Sequence, residues 1–74
     1  MELQIKQAIK LIKQHYNPDF KLVYKCLTKK GNVVISEVFN GVCFQDYVVD
    51  FTSKVIYQGW FKNLKFASIS KKQF

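Results

Sequence analysis

The chain contains no arginine, a single proline, three glycines, two cysteines, one histidine and only five acidic residues among its 74 positions. Each shortage excludes something. Without Arg there is no bidentate fork for guanine edges or for geometric capture of phosphate, which argues against base-specific duplex recognition. Three glycines, Gly31, Gly41 and Gly59, each with a turn or bulge explanation, are too few for a phosphate-cradling loop. One His and two Cys do not make a four-ligand zinc site unless carboxylates join them, and the spacing brings none together. No stretch reaches the roughly 18 apolar residues of a membrane span, and the N-terminus alternates Lys and Gln with Ile instead of presenting an apolar signal-peptide core. The expectation is a soluble cytoplasmic protein with no metal and no cofactor.

Hydrophobic residues make up 49% of the chain and aromatics 16%, the composition of a folded domain. A single domain of this size hides only about 60% of the surface its unfolded chain exposes, so the core is thin. Its stability by the usual per-residue rule is roughly 4 to 11 kcal/mol. Twelve lysines set a net charge of +7, which attracts polyanions or an acidic protein surface, although scattered solvated charge is the ordinary reading of such lysines.

Ile5, Ala8, Ile9, Ile12 and Tyr16 recur at helical spacing, with Lys6, Lys10 and Lys13 largely opposite, which predicts an amphipathic helix over 2–15. Asn17-Pro18 ends it, while Glu2 and His15 suit the two poles of its dipole. Strands are expected over about 20–28, 33–39, 42–50 and 55–61, the first two joined through Lys29-Lys30-Gly31-Asn32 and the middle two by a type I′ turn at Asn40-Gly41. The segment 63–74 reads as a fifth strand, a short helix or a covering tail. The fold class is α+β, a helix packed on a four-stranded antiparallel meander, extended to five elements if the last segment joins.

A regular register counted outward from Asn40-Gly41 places Phe39 opposite Val42, Glu37 opposite Phe44 and Ile35 opposite Asp46, with Thr28 opposite Val33 and Asp50 opposite Val55. Under that register Leu22, Tyr24, Cys26, Val33, Ile35, Phe39, Val42, Phe44, Val48, Val55, Tyr57 and Phe61 face the helix. Glu37 and Asp46 fall among them as diagonal neighbours, either at the open edge of that face or as a sign that the register is off by one. The other face carries Lys21, Val23, Lys25, Leu27, Val34, Ser36, Val38, Cys43, Gln45, Tyr47, Val49, Ile56, Gln58 and Trp60. Cys26 and Cys43 land on opposite faces, so both are expected as free thiols.

Catalytic chemistry finds little support. A Cys-His pair requires His15 to reach Cys26 across the core with no third orienting group, and Glu37 with Asp46 lacks a polar pocket. An enzyme is not expected. The second face is the better candidate: Tyr47, Trp60, Val38, Gln45 and Gln58, flanked by Lys21, Lys25, Lys29 and Lys30, mix aromatic anchors with charge as binding surfaces do. The competing expectation is that Leu64, Phe66 and Ile69 fold back over it and make a second small core.

The order helix then "VVISEVFNGVCFQDYVVDFTSKVIYQG" resembles PepSY domains and, more broadly, cystatin-like sheets wrapped on a helix. Val49-Asp50-Phe51-Thr52-Ser53-Lys54-Val55-Ile56 is similar to the Val-Asp, Thr-Gly turn and Val-Ile strand of PepSY modules, with Ser53 in place of the glycine. The likeness covers about residues 3 to 59 in pattern. It implies a non-catalytic, regulatory or inhibitory role and carries over no functional residue. A small, Arg-free, Lys- and Phe-rich chain also resembles the inhibitors that viruses and mobile elements encode against host defence, anti-CRISPR proteins among them. The leading expectation is therefore a protein-binding module that occludes a larger protein or nucleoprotein complex. The alternative is a nucleic-acid-binding accessory protein using lysines and sheet aromatics; monomer and homodimer both remain open.

Overall fold

In the computed structural model the chain is described over residues 2–62 and 65–74, with positions 61 and 62 described by their backbone. The element order is α1 (Glu2–Tyr16), β1 (Lys21–Leu27), β2 (Val33–Phe39), β3 (Val42–Asp50), β4 (Val55–Lys62) and β5 (Lys65–Gln73). The five strands form one antiparallel sheet in the order β1-β2-β3-β4-β5, so the α+β architecture is as expected and the last segment is its fifth strand. Among the described residues no helix is long and apolar enough to cross a membrane.

Local chemistry accounts for the punctuation. Asn17 adopts φ 48° and its N–H bonds the Lys13 carbonyl, a left-handed helix cap that Pro18 then makes final. The helix's own exit carbonyl, that of His15, accepts from Lys72 Nζ at 2.6 Å, so a lysine of β5 joins the basic last turn of α1 at the negative pole. Asn40 (φ 52°) and Gly41 (φ 75°) form the expected turn, and Phe39 faces Val42 across it. In the turn after β3, Asp50 Oδ1 accepts the N–H groups of Thr52 and Ser53, each at 3.0 Å.

Ala8 and Ile12 of α1 are fully buried against Leu22, Val33, Ile35, Tyr47, Val49 and Ile56 of the sheet, with Ile5, Ile9, Leu11, Tyr16 and Leu27 packed around them. The helix stripe is the expected one. The sheet face is not, because among the described residues the ladders carry three bulges.

The register slips between Tyr24 and Cys26, between Glu37 and Val38, and between Gln58 and Gly59. In β3 the extra residue is Phe44: Val38 pairs with Cys43, but Glu37 pairs with Gln45. Side chains alternate with a period of two, so one inserted residue reverses every later position on the strand. Gln45, Tyr47, Val49, Ile56 and Gln58 therefore face α1, whereas Asp46, Val48, Val55 and Tyr57, expected in the core, face outward. In β1 the extra residue is Lys25; Leu27 pairs with Val33 in place of Thr28, which turns Leu27 inward and Cys26 outward. Glu37 and Asp46 consequently lie on opposite faces, each buried. The two cysteines are free, as expected, but for a different reason: both face outward, opposite Val34 and Val38, about 13 Å apart along β2.

β5 pairs edge to edge with β4 instead of covering a face, and Ile69 stays 59% exposed. Leu64 and the Phe61 side chain, which carried expectations above, lie outside the described residues.

Candidate interaction surfaces

The inner face continues past the end of α1. Fifteen helical residues span about 22 Å and the nine of β3 about 30 Å, so the β2–β3 hairpin outruns the helix that covers it. At its uncovered tip the Phe20 ring packs between Phe39 (centroids 4.8 Å, 32°) and Phe44 (4.9 Å, 25°). Phe39, Phe44 and Val42 remain 49%, 47% and 57% exposed. The cluster is uncovered because the hairpin outruns the helix; the bulge turns Gln45 to the inner side next to Phe44, whose own side is the one regular pairing also gives it. Trp60, half exposed, lies two positions from Gln58 along β4 and so on the same side of the sheet.

Beneath this patch runs a chain of hydrogen bonds across four strands. Ser70 Oγ donates to Gln58 Oε1 (2.8 Å), Gln58 Nε2 to Gln45 Oε1 (2.8 Å), and Gln45 Nε2 to Glu37 Oε1 (2.8 Å). The Tyr47 hydroxyl accepts from Gln45 Nε2 (2.9 Å) and donates to the same Glu37 oxygen (3.0 Å), while Phe20 N–H bonds Glu37 Oε2 (3.3 Å). An ionised carboxylate only accepts, so Glu37 sets the direction of the whole chain. Through the last bond it also ties the aromatic patch to the sheet.

Burial, with the Glu37 carboxylate second, pushes the Tyr47 phenol well above its ordinary value of 10.0. The folded protein holds this proton at pH values where the unfolded chain has released it. The associated stability is complete below about pH 10 and is lost as pH rises through the folded-state value. Above about pH 10, wild-type stability is expected to fall by about 1 kcal/mol per pH unit more than that of Tyr47→Phe. Urea midpoints of the two proteins at alkaline pH measure this; parallel curves would show that Tyr47 carries no such linkage.

On the outer face Asp46, buried, accepts from Ser36 Oγ (2.6 Å) and from the Cys43 thiol (3.4 Å) and pairs with Lys25 Nζ at 3.1 Å. Desolvation and the Asp46 carboxylate push the Cys43 thiol upward, which keeps it protonated and poorly nucleophilic at neutral pH. Cys26 faces away from α1, so the sheet separates it from His15 and no Cys-His pair forms. Among the described residues no group of three or more His, Cys, Asp or Glu could hold a metal ion.

The residues expected to share one surface are thus divided. Tyr47 is 1% exposed with its ring 5.2 Å from that of Tyr16, a core residue and not an anchor. Gln45 and Gln58 belong to the buried chain. Val38 is half-buried on the outer face, Lys21 is exposed on edge strand β1, Lys25 holds Asp46, and Lys29 and Lys30 are exposed in the β1–β2 loop. Of the aromatic pair only Trp60 meets solvent. Phe20, Phe39, Val42 and Phe44 form an exposed apolar group that sequence reasoning assigned to the core or left out; comparing helix and strand lengths would have exposed it. No family of known proteins, no curated protein and no solved structure matches this chain.

Proposed function

We propose that the chain is a non-catalytic protein-binding module that seats its hairpin tip in an apolar recess on a larger, acidic protein or nucleoprotein complex and thereby occludes it. One observation carries the reading: Phe20, Phe39 and Phe44 form a pre-stacked aromatic cluster that remains half exposed beside Val42. Single exposed apolar side chains are ordinary, but a contiguous group of this kind marks an interaction surface. The stack is already ordered, so little side-chain entropy is lost on docking, and burying the half of Phe39 and of Phe44 that is still exposed contributes about 1 kcal/mol for each ring. The charge of +7 favours an acidic rim around the recess. Size, Arg-free basic composition and action by occlusion fit the class of inhibitors directed against host defence systems such as CRISPR-Cas.

The test is Phe39→Ser/Phe44→Ser, compared with wild type after circular dichroism confirms the fold. Partner affinity is expected to fall about 100-fold or more, since central aromatic anchors each contribute about 2 kcal/mol or more. Binding within about threefold of wild type would sink the proposal. So would a concentration-dependent homodimer of the wild-type chain that the double variant abolishes, because the patch would then be filled by a second copy.

A further inference from the structure

The outer face carries a second surface, separated from the hairpin tip by the thickness of the sheet. A groove of about 460 Å³ runs over Val48, Tyr57, Phe66 and Ser68, with Lys29 and Lys30 on its wall. Tyr57 and Phe66 meet edge to face in its floor, ring centroids 6.4 Å apart. Lys71 pairs with Tyr57 in the β4–β5 ladder and so shares its side of the sheet. The lysine loop is held in place: Thr28 N–H bonds the Asn32 carbonyl (2.9 Å), Gly31 N–H the Thr28 carbonyl (2.9 Å), and Asn32 N–H the Thr28 hydroxyl (3.1 Å). Asp50 also borders the groove, but its Oδ1 is engaged by the turn that follows β3.

We infer that this groove binds a single-stranded nucleic acid, with bases against Tyr57 and Phe66 and phosphates against Lys29, Lys30 and Lys71. Three features select this occupant. The floor is a sheet face whose backbone groups are already used in ladders, so an extended peptide finds no main-chain partners there, whereas a nucleotide brings a flat π face and a detached charge. The cations are lysines, point charges suited to sequence-neutral backbone contact. Helix α1, the element able to enter a duplex groove, lies on the opposite face, which favours a single strand. The inference is independent of the hairpin-tip proposal, since its residues and its face differ.

Fluorescence anisotropy of a labelled oligothymidylate about 12 nucleotides long, titrated with the full chain, tests it. Three phosphate contacts give a log-log salt slope of about −2, a loss of about 15- to 20-fold between about 50 and 200 mM salt. Lys29→Gln/Lys30→Gln is expected to reduce the slope to about −0.7 and weaken low-salt binding about tenfold or more. Lys6→Gln/Lys10→Gln on the outer side of α1 removes the same charge and is expected to change affinity by about twofold or less. Tyr57→Leu, which keeps the floor filled, is expected to weaken binding about fivefold or more through lost stacking. Equal effects from the two lysine pairs would reduce the groove to diffuse charge and overturn the inference. Tighter binding of the matching duplex, or equal displacement by poly-glutamate at matched charge, would overturn it as well. An absence of binding at about 50 mM salt does the same.

Discussion

Gly59→Ala is expected to be among the most destabilising single methyl additions in the chain, by about 2 to 4 kcal/mol. A Cβ at Gly59 would lie 1.9 Å from the Ala67 carbonyl oxygen, 2.9 Å from its carbon and 3.0 Å from Ser68 Cα. All three are backbone atoms of β5, so no rotamer change relieves the contact. The β4–β5 bulge produces this approach, because it pairs Gly59 with Ser68 while Gln58 pairs with Ser70. Relief requires β5 to move off β4. Urea unfolding measures the loss, and native-state hydrogen exchange locates it: β5 amides are expected to lose protection before those of β2 and β3. Gly41→Ala is the contrast, since that site has open space around it and only a left-handed φ to satisfy, a cost of about 1 kcal/mol. Equal effects at the two glycines would show that the ladder accommodates the methyl group.

Glu37→Ala is expected to cost about 3 kcal/mol, a large share of a stability near 4 to 11 kcal/mol. The substitution strands the Tyr47 hydroxyl, one Gln45 donor and the Phe20 N–H, each of which bonds the carboxylate. Each stranded buried donor costs about 1 to 3 kcal/mol, and partial re-pairing between Gln45 and Tyr47 holds the total near the lower end. Glu37→Gln separates the parts. Its amide oxygen can keep both bonds at the Oε1 position while its NH₂ opposes the Phe20 N–H, so a loss of about 1 kcal/mol is expected, with the Phe20 ring loosened. Chemical denaturation gives the energies and ring-proton shifts of Phe20 report the patch. If both variants match wild type, the carboxylate does not organise the sheet.

Much of the fold was legible because its signals are local. Ile5, Ala8, Ile9, Ile12 and Tyr16 declare one helix face by spacing alone, and Asn17-Pro18 and Asn40-Gly41 end or turn the chain through their own dihedral preferences. Strand limits over β2 and β3 followed from those turns. The fifth strand was ambiguous because "KFASISKKQ" lacks a clean period, and its place at an edge, largely exposed, explains why no face needed to be apolar.

The burial of Tyr47 and the outer groove were not legible for a single geometric reason, whereas Phe39, Val42 and Phe44 were given their correct face and missed because the helix stops short of them. Whether Lys25, Phe44 or the Gln58–Gly59 step interrupts a ladder depends on how two strands separated in sequence meet, and no residue at those positions announces it. The discomfort was visible, since a regular register left Glu37 and Asp46 together in an apolar layer. The bulge resolves it by giving Glu37 to the inner chain of amides and Asp46 to Ser36, Cys43 and Lys25. The same slip moves Tyr47 from surface to core and leaves Tyr57 facing the outer groove.

The sequence by itself determined the helix, the first four strands, their order and their antiparallel meander, since helix period, caps and turns are properties of neighbouring residues. Only the tertiary structure decided which side of each strand meets the helix and which meets solvent. Side-chain alternation has a period of two, so one bulge inverts everything beyond it, and a bulge belongs to a pair of strands and not to either one.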